Sequence, residues 1–319
     1  MGTSCYRVYG FVLASNRSLD ALLPSASGRP DLSVHFGEPE AAYCHEWFHR
    51  WPIVANDPGS GDWLQIGGTP TGFLLRFPEL ADFGLNVSNW SITCTPVRPL
   101  PQATLNHLLL DQVLPLVLAE TGRSVVHASA VAFHAGQAIA FAAPTGFGKS
   151  TLAAALAKSG GRLLTDDGLL IQQRAEGEIE CVASYPGVRL WKESSTQLFG
   201  SAAEVEQYAH YTPKQRIALN ENAIEVHEGP ARLSRLYFLG PPGDNNEISI
   251  TPLTAREAFL DLVKFSFVLD VRNRDRQRAN FARFSQLAST AIFFRLDYPR
   301  QWEQLPEVVE AIRRHAAER

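Results

Sequence analysis

The stretch Ala143-Pro144-Thr145-Gly146-Phe147-Gly148-Lys149-Ser150-Thr151 carries residue types that handle phosphate. It fits the phosphate-loop pattern G-x-x-x-x-G-K-[ST] except at its first position, where Ala143 stands for glycine. Gly146 and Gly148 let the backbone close around an anion without Cβ collisions. Lys149 supplies a point charge for the outer phosphates. The hydroxyl of Ser150, with Thr151 beside it, suits Mg²⁺. Thr145, Gly146, Phe147, Gly148, Lys149, Ser150 and Thr151 are therefore the expected nucleotide-binding set. Alanine fits the first position if Ala143 keeps a negative φ.

Seventeen positions after Lys149 stands Asp166-Asp167. Two adjacent carboxylates near a metal-bound nucleotide can divide the work. One holds metal through water, and the other accepts a proton from an attacking hydroxyl. Without a phosphate loop the same Asp-Asp-Gly would read as a solvated turn. His127, in the apolar "VVHAS", is either a satisfied core residue or a group that polarises a phosphate or orients a carboxylate.

These residues need elements that bring them together. "SVVHASAVAFHAGQAIAFAAP" reads as two strands with a tight turn at His134-Ala135-Gly136, the second strand ending at Pro144. A helix from Lys149 to about Ser159 stops at Gly160-Gly161, positions that tolerate positive φ. A strand that runs through a loop into a helix presents unpaired N–H groups and the positive end of the helix dipole. "RLLTDDGLLIQQ" reads as a returning strand interrupted or bent near Asp167-Gly168, which lands the carboxylates beside the loop. "EIECVASY" is a further strand. "RLYFLG" and "EISITPL" read as strands joined by "PPGDNN". Helices are expected at about 254–268, 273–289 and 301–317, with strand "TAIFFRL" before the last. Upstream, leucines and valines three and four apart in "PLPQATLNHLLLDQVLPLVLAETG" predict a bridging helix that ends at Gly122 and is kinked or divided at Pro115. Before it, short runs such as "CYRVYGFVLAS", "DLSVHFG", "WLQIGGTPTGFLLRF" and "WSITCTPV" predict short antiparallel strands and no motif of chemistry. The expected fold class is α/β. A P-loop nucleotide-binding domain, 99–319, follows a β-rich domain, 1–98, that serves partner or peptide binding.

The 319 residues are 45% hydrophobic and 19% charged, an ordinary globular composition. A formal net charge of −4 offers no basic excess for nucleic acid or an anionic membrane. Cys5, Cys44, Cys94 and Cys181 form no CxxC pair. They read as reduced thiols of a cytoplasmic protein, not a disulfide frame or zinc site. No signal peptide is expected, and no apolar run approaches the roughly 18 residues of a membrane span. Arginines crowd "DVRNRDRQRANFAR", and Lys214 and Arg216 form "KQR". Arginine grips phosphate and carboxylate in a fork, so Lys214, Arg216 and Arg272 are candidates to meet ATP or a peptide C-terminus, against a solvated helix face. On a helix Arg272, Arg276 and Arg283 share one side, and Arg274 and Arg278 another.

"HASAVAFHAGQAIAFAAPTGFGKSTLAAALAKSGGRLLTDD" resembles the core of bacterial HPr serine kinase/phosphorylases, which share a nucleotide-binding fold with ATP-dependent phosphoenolpyruvate carboxykinases. In that family a histidine in an H-G-V-like stretch precedes the strand into a loop similar to G-x-S-G-x-G-K-S. A G-[HG]-R-L segment then leads to A-D-D. His127, Gly146-Phe147-Gly148-Lys149-Ser150, Gly161-Arg162-Leu163-Leu164 and Asp166-Asp167 occupy those places. The resemblance implies ATP and Mg²⁺ as cofactors. It makes Asp166 the general base toward a serine or threonine hydroxyl, gives Asp167 to the metal beside Ser150 or to substrate orientation, and puts His127 near the transferring phosphate that Lys149 meets.

The family's downstream E-I-R-G-x-G signature is absent, and "YPGVRLWKE" stands in its place. There Arg189 and Glu193 are candidates for related work. The opening "YRVYGFVLASNRSLDALLPS" is similar to that of a divergent branch, Y-x-x-[YF]-G-x-x-[IL]-x-S-x-x-x-L-x-x-L. Members of the branch accompany lasso-peptide biosynthesis, and some phosphorylate the C-terminal serine of the precursor peptide. The expectation is thus an HPr-kinase-like peptide kinase, with a lasso precursor as the acceptor the opening motif points to. HPr itself as acceptor, nucleotidyl or small-molecule phosphoryl transfer, and a non-catalytic nucleotide sensor stay open. So do the oligomeric state and a homo-oligomer.

Overall fold

The computed structural model describes residues 3–24, 28–37, 44, 46–54, 57–133, 136–174, 177–185, 187–201, 203–206, 208–219, 222–243 and 247–318. The chain divides into two compact units, Met1–Val117 and Leu118–Arg319. His134 and Ala135 of the expected tight turn, and 244–246 of "PPGDNN", lie outside the described residues.

The first unit is built on one sheet. Its strands are β1 (Ser4–Val8), β2 (Phe11–Ser15), β3 (Leu23–Pro24), β4 (Leu32–Phe36), β5 (Glu46–Val54), β6 (Asp57–Thr69), β7 (Gly72–Phe77), β8 (Ala81–Asn86) and β9 (Ser91–Pro96). They lie in the order β3-β1-β2-β4-β9-β8-β7-β6-β5. Tyr9 and Gly10, both at positive φ, make the two-residue turn of the first hairpin. Alternation buries every second residue of β4 and β8. The expectation of antiparallel pairing fails at one place, because β4 runs parallel to both β2 and β9.

The helix after this sheet does not divide at Pro115. α1 (Gln102–His107) continues through a π turn, Leu108–Val113, into α2 (Leu114–Glu120). The wider turn just before Pro115 absorbs the ring and the missing donor. Gly122, at φ +84, ends it as expected. The amides of Gly122 and Arg123 donate to Ala119 and Leu118, a Schellman closure.

The second unit holds β10 (Ser124–Val126), β11 (Ala128–Ala132), β12 (Gln137–Ala142), β13 (Arg162–Thr165), β14 (Leu169–Gln173), β15 (Ile179–Ala183), β16 (Arg189–Leu190), β17 (Val205–Glu206), β18 (Gln215–Ile217), β19 (Ala231–Leu239), β20 (Ser249–Pro252) and β21 (Phe293–Asp297). Its helices are α3 (Lys149–Lys158), α4 (Lys192–Phe199), α5 (Ala255–Phe265), α6 (Arg274–Ala288) and α7 (Leu305–Ala317). The main sheet runs β10-β14-β15-β19-β12-β11-β13, with β21 also on β19 and β20 on β21. β12, β19 and β21 are mutually parallel. Strands β16, β18 and β17 form a small separate sheet.

Side-chain alternation sorts the core into two layers. Val131, Ile139 and Phe141 face α3 and α7, while Ala130, Ala132, Ala138 and Ala140 face α5 and α6. The sheet is thus covered on both faces, as a parallel core requires. Phe141 stacks on Tyr237 at 5.6 Å. Truncating so buried a ring to alanine costs about 3–5 kcal/mol. "RLLTDDGLLIQQ" is interrupted at 166–168, one of the two expected courses. It is two strands, β13 at one edge of the sheet and β14 paired with β10 and β15. "RLYFLG" and "EISITPL" do not pair with each other, since β20 pairs with β21.

Candidate functional site

β12 ends in the core, and the chain turns through Ala143 to Gly148 into α3. Ala143 is fully buried and is not among the residues with positive φ, so the pattern's first glycine is not needed. Gly146 and Gly148 do need their freedom, at φ +87 and +94. Gly148 is the N-cap of α3, and no side chain caps this helix. Thr254 and Asn273, by contrast, cap α5 and α6. The first-turn N–H groups of α3 are therefore left for an outside acceptor, where the helix dipole favours an anion. Thr145 and Gly146 are exposed, and Phe147, Ser150 and Thr151 are half-buried. A side chain at Gly146 would meet only open space, so the mouth of the loop is clear. Lys149 is 5% exposed, and its Nζ donates to the carbonyls of Ala143 (2.8 Å) and Pro144 (3.3 Å). Burial, with Lys214 and Arg189 adding repulsion, lowers its pKa to about 8 against the pull of Asp167 and Asp166.

The carboxylates sit in the turn between β13 and β14. The Thr165 hydroxyl closes that turn by donating to the Gly168 carbonyl at 3.0 Å. Asp166 is 2% exposed. Its Oδ1 accepts from the Ser129 hydroxyl (3.0 Å), which also reaches the Asp166 carbonyl (2.6 Å). Its Oδ2 accepts from the Arg189 amide (2.9 Å) and lies 3.4 Å from Arg189 Nε. The other end of the same guanidinium, Nη2, holds Asp167 at 2.9 Å. Arg189 thus forks across both carboxylates, and its Nη1 reaches the Tyr208 hydroxyl at 3.4 Å.

Asp167 is the more open of the pair, with its side chain 19% exposed. Burial pushes its pKa up, but Arg189, His127, Lys214 and Lys149 outweigh that and hold the carboxyl well below the usual range. It is ionised at neutral pH. His127 lies between β10 and β11, edge-on to Phe267, and its amide donates to the Phe265 carbonyl. Burial, then Lys149, lowers its pKa to about 4, so the ring is neutral at physiological pH.

Of the cations proposed for substrate, Arg189 and Lys214 act on Asp167 and Lys149. Lys214 Nζ lies 5.9 Å over the exposed ring of Trp191. Arg216 is paired opposite Arg189 across β16 and β18, bound to Glu206 (3.1 Å) and set over Tyr185. Arg272 precedes α6, and its guanidinium is engaged by Asp270 at 3.1 Å. Glu193 accepts from the Trp302 indole at 3.5 Å.

Ser129, Tyr208, Tyr298 and Arg300 went unread in the sequence. Ser129 is one of many serines, and Tyr208 sits in a segment without clear periodicity. Tyr298 is 150 positions beyond Gly148, yet a methyl added to Gly148 would come within 2.5 Å of its hydroxyl.

No family model matches the sequence, and no curated protein matches it. The solved structure of the Hpr(Ser) kinase/phosphatase from Coxiella burnetii is similar over 60% of this chain and 95% of its own, at 10% identity and a TM-score of 0.31. A likeness of that size assigns neither site nor activity, so the side chains must carry the reading. No helix among the described residues is long and apolar enough to cross a membrane.

Proposed function

We propose that the second unit is an ATP- and Mg²⁺-dependent phosphotransferase of HPr-kinase-like type acting on a serine or threonine hydroxyl of a peptide. One observation supports this most. An uncapped helix N-terminus with a buried lysine lies beside a carboxylate kept ionised by Arg189, Lys214 and Lys149. A nucleotide sensor needs the first part and not the second.

The residues fit the cofactors. The loop's open mouth and free amides suit a polyphosphate. Among the described residues no cluster of three or more His, Cys, Asp or Glu could hold a metal alone. Mg²⁺ in such sites takes one or two protein ligands and completes its shell with phosphate and water, so the Ser150 hydroxyl and Asp167 are sufficient. When bound, ATP·Mg²⁺ supplies the phosphoryl group and neutralises charge between the phosphates.

The chain's own residues do the rest. Loop amides and Lys149 hold the phosphates in line and stabilise charge that grows on them. The geometry favours Asp167 over Asp166 as proton acceptor. Asp166 is sealed by Ser129 and Arg189, and no hydroxyl reaches it without displacing them. Asp166 instead fixes Arg189, which aims Asp167. A weak base is adequate, because little proton transfer is needed in a loose phosphoryl-transfer transition state. Lys214 over Trp191, beside Asp167, provides a cation for an acidic group near the acceptor hydroxyl. A peptide C-terminus, such as that of a lasso precursor, is the acceptor class this favours. The β-rich first domain, 1–98, is the part we assign to peptide or partner binding.

The test is incubation with ATP·Mg²⁺ and candidate peptides, HPr included, read by mass spectrometry. A gain of one phosphoryl group on a peptide hydroxyl is expected. Nucleotidyl adducts, or binding with no modified acceptor, would sink the kinase reading.

A further inference from the structure

The phosphate loop is closed on its second side by a residue from a distant strand. Tyr298 follows β21 and is 5% exposed. Its hydroxyl has no hydrogen-bond partner among the described residues and rests against Gly148, the uncapped N-cap of α3. The ring is buried, but the hydroxyl oxygen is not among the sealed atoms, so a ligand at the loop can reach it without displacing a protein partner. The ring is held firmly: the Arg300 guanidinium lies 3.4 Å from its centroid, and Arg300 Nη2 donates to the Gly240 carbonyl at 2.9 Å. Arg300 Nε is itself buried without a partner. The arrangement ties together the ends of three parallel strands: the loop after β12, Gly240 after β19, and Tyr298 after β21. The carboxyl edge of parallel strands is where such sheets receive ligands.

Resting on the phosphate-loop reading above, we propose that the Tyr298 hydroxyl donates a hydrogen bond to a phosphate oxygen of the bound nucleotide, with Arg300 positioning the ring. The chemistry suits an anion. Burial pushes the phenol's pKa up to about 12, so it remains a neutral donor at physiological pH. Gly148 has no side chain to occupy the space between the hydroxyl and the helix N-terminus.

The experiment compares the full-length chain with Tyr298→Phe for binding of ADP and ATP with Mg²⁺ by calorimetry. Thermal unfolding without nucleotide shows whether the fold is intact. Phenylalanine keeps the ring and its stacking, so the unliganded Tm should be unchanged. Losing a hydrogen bond to a charged group should weaken both nucleotides by about ten-fold or more. Arg300→Met, which frees the ring, should weaken them in the same direction and by less. Unchanged affinity in Tyr298→Phe overturns the proposal and leaves the phosphate loop standing. A wild-type chain that binds neither nucleotide overturns the phosphate-loop reading and this inference with it.

Discussion

Two adjacent aspartates of the same type have been given different work by their surroundings. Asp166 is spent on structure, since its oxygens accept from Ser129 and twice from Arg189. Asp167 shares only the far end of that arginine and keeps an open side. Asp167→Asn should therefore slow transfer by about 100-fold or more, as expected for loss of a proton acceptor; because the same carboxylate is assigned to Mg²⁺, nucleotide affinity should change little only when measured without the metal. Equal rates would remove Asp167 from the chemistry. Asp166→Ala should act first on the fold, because it leaves a buried guanidinium short of a carboxylate, at a cost of about 3–5 kcal/mol in urea unfolding. Lys149 sets the alkaline limit. Its charge is present below its lowered pKa of about 8 and lost above it. The kcat/KM for ATP should thus fall as pH rises through about 8. His127, neutral down to about pH 4, should add no limb between pH 5 and 7. A limb near pH 6.5 that vanishes in His127→Gln would contradict that assignment.

The elements show why part of the site was legible in the sequence and part was not. The loop and α3 were legible because both use local rules: glycines where φ must be positive, then an apolar face on the helix. The ends of α5, α6 and the Gly122 stop were legible for the same reason. The break in "RLLTDDGLLIQQ" was legible at its Asp-Asp-Gly, but whether it bends one strand or separates two was not, because apolar spacing is alike in a bent strand and in two strands joined by a crossover. Nor was the parallel seating of β4, which depends on partners far away in sequence. Arg272 lies outside α6, as the expected start near 273 implies, because Asn273 caps the helix after it. Gly148 is where local and distant demands meet, and it can be tested. Alanine there would meet the left-handed backbone penalty of about 1–2 kcal/mol, and its methyl would also strike the Tyr298 hydroxyl. Gly146→Ala meets the first cost alone, since nothing lies near its Cβ. Gly148→Ala should therefore lower Tm more than Gly146→Ala, with the backbone part worth about 2–8 °C. Adding Tyr298→Phe should recover some of the difference. Equal shifts for the two glycines would mean that the tyrosine does not press on the loop.

Across the second unit, the site gathers chain segments that are separated by more than a hundred positions. Residues 143–151, 166–167, 189, 214 and 298–300 belong to five different stretches of the chain, brought together by the main sheet, covered on both faces, and by the small sheet of β16, β18 and β17. A ligand bound there should stabilise the unit as a whole and not the loop alone, because unfolding must scatter its contacts. At about 100 times Kd, linkage predicts roughly 2.7 kcal/mol of added stability. For a unit of this size that is a rise of about 5–11 °C in Tm with ADP·Mg²⁺. Lys149→Ala should abolish most of the rise while leaving the unliganded Tm close to wild type, since among the described residues this lysine hydrogen-bonds the loop's own carbonyls alone. Hydrogen exchange adds the spatial half of the test. Protection on ADP binding should spread to β19 and β21, which carry Gly240 and Tyr298 to the loop. Protection confined to 143–158 would show that the nucleotide meets the loop alone, and that the carboxyl edge of the neighbouring strands has no part in holding it.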